Sequence, residues 1–210
     1  MTTSLRDRLR NVSAPEPVLR RAREAELTGR QREILDELGR IFDKGFVDLT
    51  MAELAAQLNC SLRTLYGLAD GRNALVLMVV DRNLRKVGRV ANRVVDDDMT
   101  ALDAVRAYLS AATVAVQDIT PEFADDMTTI AEGVAMNAAH SEYLIDVTRA
   151  LLDVAVEQGE IASVDTAAVA RTIAGLGREF ARPAVLPTLS SSPKDAADAM
   201  VDVVLRGLTS

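Results

Sequence analysis

Few side chains in this sequence could do covalent or metal chemistry. One histidine, His140, and one cysteine, Cys60, leave no intrachain disulfide and no histidine–cysteine metal set. The adjacent acids Asp96-Asp97-Asp98 and Asp125-Asp126 sit at helix starts or junctions, with no base or nucleophile beside them. Neither catalysis nor a resident cofactor is expected. What the spacing offers instead is a binding pattern. Residues 50–66 read as a helix, a tight turn and a second short helix, the arrangement that lays one helix in the major groove of DNA. Asn59 gives the turn a residue that tolerates positive φ. Ser61 gives the second helix its N-cap.

Charge is divided along the chain in a way that suits such a site. The 210 residues carry a net charge of −7. Residues 1–95 hold 17 basic and 12 acidic side chains, or +5, and residues 96–210 hold 7 and 19, or −12. A basic N-terminal part on an acidic remainder is the asymmetry of a chain that meets a polyanion at one end. Chance clustering of solvated charge would produce the same numbers. A composition of 49% hydrophobic and 26% charged residues is that of a globular protein, with length for one large or two small domains. No run approaches the ~18 uncharged apolar residues of a membrane span, and the N-terminus lacks the apolar core of a secretion signal. A soluble, cytoplasmic protein with no membrane partner is expected.

The elements that must position the site are helices throughout. Thr28 with Gln31 forms a capping box ahead of Ile34, Leu38, Ile41 and Phe42, with Gly45 as the stop. Thr50 with Glu53 forms a second, opening a short helix with Leu54, Ala55 and Leu58 inward. Ser61 caps a third that contains Leu65. After Asp70-Gly71 a long helix runs to about Val95. It has an apolar stripe (Val76, Val80, Leu84, Val87, Ala91, Val94) and a basic one (Arg82, Arg85, Lys86, Arg89, Arg93) that could track phosphates or simply be solvated. Five more helices follow. They start at Thr100; at Thr120-Pro121, running on through Ile130 and Val134; at about Ser141; at Asp165; and at Ser192-Pro193. Residues 183–193 read as a loop. The expectation is all-α with about nine helices: a flexible arginine-rich arm (1–27), a helix-turn-helix head with its connecting helix (28–95), and a helical body (96–210).

Four segments in the first third, Phe42-Asp-Lys-Gly-Phe46, Leu49-Thr-Met-Ala-Glu-Leu-Ala55, Cys60-Ser-Leu-Arg-Thr-Leu-Tyr66 and Arg72-Asn-Ala-Leu75, together resemble the DNA-binding domain of the TetR family of bacterial transcriptional regulators. Gly159-Glu-Ile161, Asp165, Ala174-Gly-Leu176 and Leu205-Arg-Gly-Leu208 resemble that family's last helices. The resemblance implies a homodimeric regulator, by family habit a repressor, with a three-helix head on double-stranded operator DNA. It implies too that a small-molecule effector binding in the body releases the protein. It places Thr50, Ser61, Thr64 and Tyr66 near the DNA backbone and nearby bases, and turns Leu62 and Arg63 toward base edges. Arg63 is the candidate for bidentate reading of a guanine. Arg72 stands where the family usually has a phosphate-gripping lysine. Capping explains Thr50 and Ser61 equally well, and Tyr66 could serve packing. Leu68-Ala69 departs from the family's polar-then-aromatic pair and Gly67 loosens the recognition helix. These departures leave open a helical binding protein whose head no longer reads DNA, unless the arginine-rich arm compensates by reaching DNA.

For the body, the resemblance implies a cavity among the fifth to eighth helices. Tyr108, Phe123, Met127, Ile130, Met136, His140, Tyr143 and Phe180 are the candidate lining, with ordinary core packing as the alternative for each. The scarcity of aromatics suits an aliphatic or small effector. Gly175 and Gly177 lower helix stability unless a neighbour approaches closely, which a two-fold interface over Leu176, Phe180, Met200, Val203 and Val204 would supply. A contact within the chain would do so too.

Overall fold

A computed structural model of the chain describes residues 4–114, 120–180, 182 and 184–209. Among them it contains eleven α-helices, one 3-10 turn (Leu186–Thr188) and no strand. The helices are α1 (Leu5–Arg10), α2 (Arg21–Glu26), α3 (Gly29–Phe42), α4 (Met51–Gln57), α5 (Leu62–Tyr66), α6 (Arg72–Val94), α7 (Ala101–Val114), α8 (Pro121–Thr128), α9 (Ala131–Glu157), α10 (Thr166–Phe180) and α11 (Pro193–Leu208). They form two compact units. The first, the head, draws on residues 16–86 and 118–138; the second, the body, draws on 1–15, 87–117 and 139–210.

The head forms because each short helix has its start fixed locally and one face buried. Thr28 accepts the Gln31 amide at 3.2 Å while Gln31 takes the Thr28 amide at 2.8 Å, and Thr50 and Glu53 repeat the exchange at 3.2 and 2.8 Å. The apolar faces of α3, α4, α5 and early α6 then share one core, including Ile34, Leu38, Leu54, Leu65, Leu75 and Val79. Gly45 at φ 100° and Asn59 at φ 47° make the turns between α3 and α4 and between α4 and α5. Gly39 lets α3 and α6 approach: a Cβ there would lie 2.9 Å from Asn83 Nδ2. Phe123, Met127 and Ile130 complete this core, with Phe46 edge-on to Phe42 and Phe123 at centroid distances of 5.8 and 5.9 Å.

The body is built on α7, α9, α10 and α11 with the second half of α6. Its core includes Val105, Tyr108, Leu151, Leu152, Ile173 and Leu205. The Gly159-Glu160-Ile161 segment does three jobs. Gly159, at φ 72°, ends α9. The Glu160 carboxylate takes the Ala101 and Leu102 amides at 2.8 and 3.1 Å, closing the positive end of α7. Ile161 is buried in the core. Asp165 and Ser192 cap α10 and α11 as the sequence suggests, through the Ala168 and Asp195 amides at 3.0 and 3.1 Å.

Three expectations need correction. The described part of the N-terminal arm is helical at α1 and α2. Leu5 and Leu9, four apart, are buried in the body core, and Arg6 donates to the Val95 carbonyl at 3.1 Å and to Asp96 at 3.0 Å. The helix begun at Thr120 does not run through Ile130. It stops at Thr128: the Thr129 amide closes back on the Asp126 carbonyl at 3.0 Å and the Ile130 amide on the Met127 carbonyl at 3.3 Å, tighter than α-helical spacing. The Thr128 and Thr129 hydroxyls donate to the Asp125 and Asp126 carbonyls, both at 2.6 Å. A new helix, α9, then runs unbroken over 27 residues, so His140 lies inside a helix and not at a junction. Pro183, expected to mark the loop after α10, lies outside the described residues; the rest of 183–193 contains the 3-10 turn.

Candidate nucleic-acid interface

Within the head, α4, the Asn59 turn and α5 form the helix-turn-helix. The second helix is only five residues long, so its geometry must be imposed from outside. Ser61 imposes it at the start, accepting the Thr64 amide at 3.1 Å and pairing with the Thr64 hydroxyl at 2.8 Å. Leu65 and Leu68 impose it underneath, both buried. Leu68, the departure at a position where a polar group was expected, is thus part of the head core, with Ala69 packed against it. What remains outward is Leu62 (43% exposed), Arg63 and Tyr66 (52% exposed). Arg63 makes no ion pair among the described residues, so its guanidinium is available to a partner.

The other named residues take mixed parts. Thr50 is exposed at the start of α4, and its hydroxyl also donates to Glu53 at 2.7 Å. Those hydrogen bonds, from the Thr50 amide first and its hydroxyl second, hold the Glu53 carboxyl below its ordinary value of 4.5. Arg72 is half-buried and occupied. Its guanidinium donates to the carbonyls of Val47 and Leu49, the latter at 3.3 Å, and to Asn73 Oδ1 at 3.3 Å. An open groove of about 550 Å³ lies beside it, bounded by Leu49, Thr50, Asp70 and Asn73. Along α6 the basic stripe is partly spent: Arg82 pairs with Asp36 at 2.5 Å and Arg85 with buried Asp81 at 2.9 Å, while Lys86, Arg89 and Arg93 stay exposed. Cys60, half-buried beside the turn, has its thiol pushed up by burial, with Arg30 opposing.

Three positioning groups carry no sequence signal of their role. Asp126 on α8 takes the amides of Phe46 and Val47, the second at 2.8 Å, and so clamps the α3–α4 turn that Arg72 holds by its carbonyls. Arg30 donates to the Leu58 carbonyl at the end of α4 at 2.8 Å. Arg23 donates to the Gly67 carbonyl at the end of α5 at 3.1 Å. Each is a side chain on a distant backbone group, which periodicity does not encode.

The eight candidate pocket residues are not brought together in one unit. Phe123, Met127 and Ile130 are buried in the head core and Met136 packs against it. Tyr108 is buried in the body core, where burial pushes its phenol up, and Tyr143 packs against that core. Its hydroxyl accepts from Asn92 Nδ2 at 3.1 Å, and Asn92 Oδ1 is buried without a donor among the described residues. His140 and Phe180 are half-buried on α9 and at the end of α10. Of the interface candidates, Met200 and Val203 (59% exposed) are open, Leu176 is half-buried, and Val204 packs on the body core. Among the described residues no helix is long and apolar enough to cross a membrane.

No family model and no curated protein matches the chain by sequence. Solved structures match its fold over most of its length. A TetR-family transcriptional regulator, PfmR, from Thermus thermophilus is 21% identical, with a TM-score of 0.60 over 83% of this chain and 98% of that one. A TetR regulator from Haloarcula marismortui is 16% identical, with a TM-score of 0.73 over 87% and 99%. A TetR-family regulatory protein from Rhodococcus is 19% identical, with a TM-score of 0.64 over 87% and 98%. The chain therefore has the fold of the TetR-family transcriptional regulators, as its head motifs suggested.

Proposed function

We propose that the protein is a homodimeric, ligand-responsive transcriptional regulator that binds operator DNA through α4 and α5 and acts as a repressor. The observation that carries this is the outward face of α5: an exposed Arg63, without an ion pair among the described residues, flanked by Leu62 and Tyr66 over a base of Leu65 and Leu68 that fixes its orientation. A short helix held from beneath and presenting an exposed guanidinium is suited to two hydrogen bonds to a guanine edge. Thr50, Ser61 and Thr64 would then lie along the flanking phosphates, and the charge of +5 over residues 1–95 supports the approach. Arg72 acts by holding the α3–α4 turn and lending positive charge to that edge.

Dimerisation is supported by α10 and α11. A Cβ added at Gly175 or Gly177 would meet nothing within 4 Å, so no close approach among the described residues accounts for these two helix glycines. With the exposed Met200 and Val203 they suit a close two-fold packing of helices. An effector site is best sought in the body near Tyr108, Tyr143 and Asn92, where a buried acceptor lacks a donor among the described residues. An effector that prefers one conformation would shift the dimer off its operator.

The test is affinity selection of a random duplex library on the purified protein at near-physiological salt. Enrichment of a palindrome supports the regulator. Salt-sensitive binding without enrichment would instead favour a ligand-binding protein whose head has lost sequence discrimination.

A further inference from the structure

The segment before α3 has no part in the helix-turn-helix pattern, yet it reaches the recognition helix. We propose that residues 18–27 are a brace that completes the head, and that Arg23 is a positioning residue for α5. Arg23 Nη2 donates to the carbonyl of Gly67, the C-cap of α5, at 3.1 Å. A helix leaves its last carbonyls unpaired, and a cation at that end also opposes the helix dipole. The recognition helix has five residues and a glycine after it, so its far end has little holding power of its own.

The brace is itself anchored within the head at several points. The Val18 amide donates to the buried carboxylate of Asp81 at 3.0 Å. Glu24 lies 3.8 Å from Arg82, which also binds Asp36 of α3. Leu27 is buried in the head core. An arginine so anchored acts on DNA recognition through α5, whereas a loose arginine-rich arm would act by touching phosphates.

Two readouts test the brace, and only the second rests on the proposed DNA-binding function. In the full-length protein without DNA, Arg23→Ala should speed amide exchange at Gly67, Leu68 and Ala69 about threefold, with α7 amides unchanged, and Arg23→Lys should restore most of the protection. With a selected duplex, Arg23→Ala should weaken specific binding about threefold and leave binding to random DNA and its salt dependence alone. Unchanged exchange would overturn the brace. So would equal weakening on specific and random DNA with a salt slope reduced by about one, since that marks a phosphate contact. If no duplex is selected, the DNA-binding function fails and exchange alone decides the brace. Should Arg23→Ala fail to fold, Arg23→Gln removes the charge and leaves a side chain too short to reach Gly67.

Discussion

Arg63 and Arg72 look alike in sequence and do different work. Arg63 is exposed without an ion pair among the described residues, so Arg63→Ala should cost ~1–3 kcal/mol of discrimination at one operator position and leave stability unchanged. Binding to a panel of single-base operator variants checks it. Arg72 holds the carbonyls of Val47 and Leu49, so Arg72→Ala should weaken specific and random DNA together and lower the melting temperature as well. Arg72→Lys keeps the charge but loses the fork that spans two carbonyls, and should recover only the charge-dependent part. The Thr50–Glu53 box adds a pH dependence. Glu53 is held below its ordinary 4.5, so its contribution is complete above that value and disappears as pH falls through the lower, folded one. Amide exchange in the first turn of α4 should therefore rise in acid, and Glu53→Gln, which can still close a capping box, should flatten that rise.

At the scale of elements, much was legible because caps are local. Thr28, Thr50, Ser61, Thr120, Asp165 and Ser192 all start helices where their spacing said they would. What could not be read is where a helix is interrupted or which core it joins. The stop after Thr128 is a backbone closure of the Thr129 and Ile130 amides onto carbonyls three residues back. Thr148 and Thr172 make the same kind of hydroxyl bond as Thr128 and Thr129 within unbroken helices, so the threonines alone do not signal it. Leu5 and Leu9 were hidden in an arginine-rich stretch, and only the body core shows what they bury against. The α8 residues Phe123, Met127 and Ile130 have inward spacing that suits a cavity wall as well as the head core they join. Phe123→Ala should consequently destabilise the head by ~3–5 kcal/mol. Denaturation followed by exchange in α3 and α4 would reveal it, and a body-core residue such as Leu151→Ala should leave those amides unaffected at low denaturant.

For the whole molecule, the open Met200 and Val203 on α11 and the open glycines Gly175 and Gly177 of α10 make Val203→Asp a direct test of the proposed dimer. Light scattering should move from dimer mass toward monomer mass, and operator affinity should fall with it, because two half-sites bound together hold far better than one. The head poses a separate problem for anyone wishing to borrow it. Its residues come from two stretches, 16–86 and 118–138, with body residues between them. A single crossover that grafts residues 28–95 onto another helical body would leave Phe123, Met127, Ile130 and the Asp126 clamp behind. Exchange of operator specificity between proteins of this kind should therefore succeed by recoding the outward positions of α5 in place, and fail by transplanting the N-terminal third as a cassette.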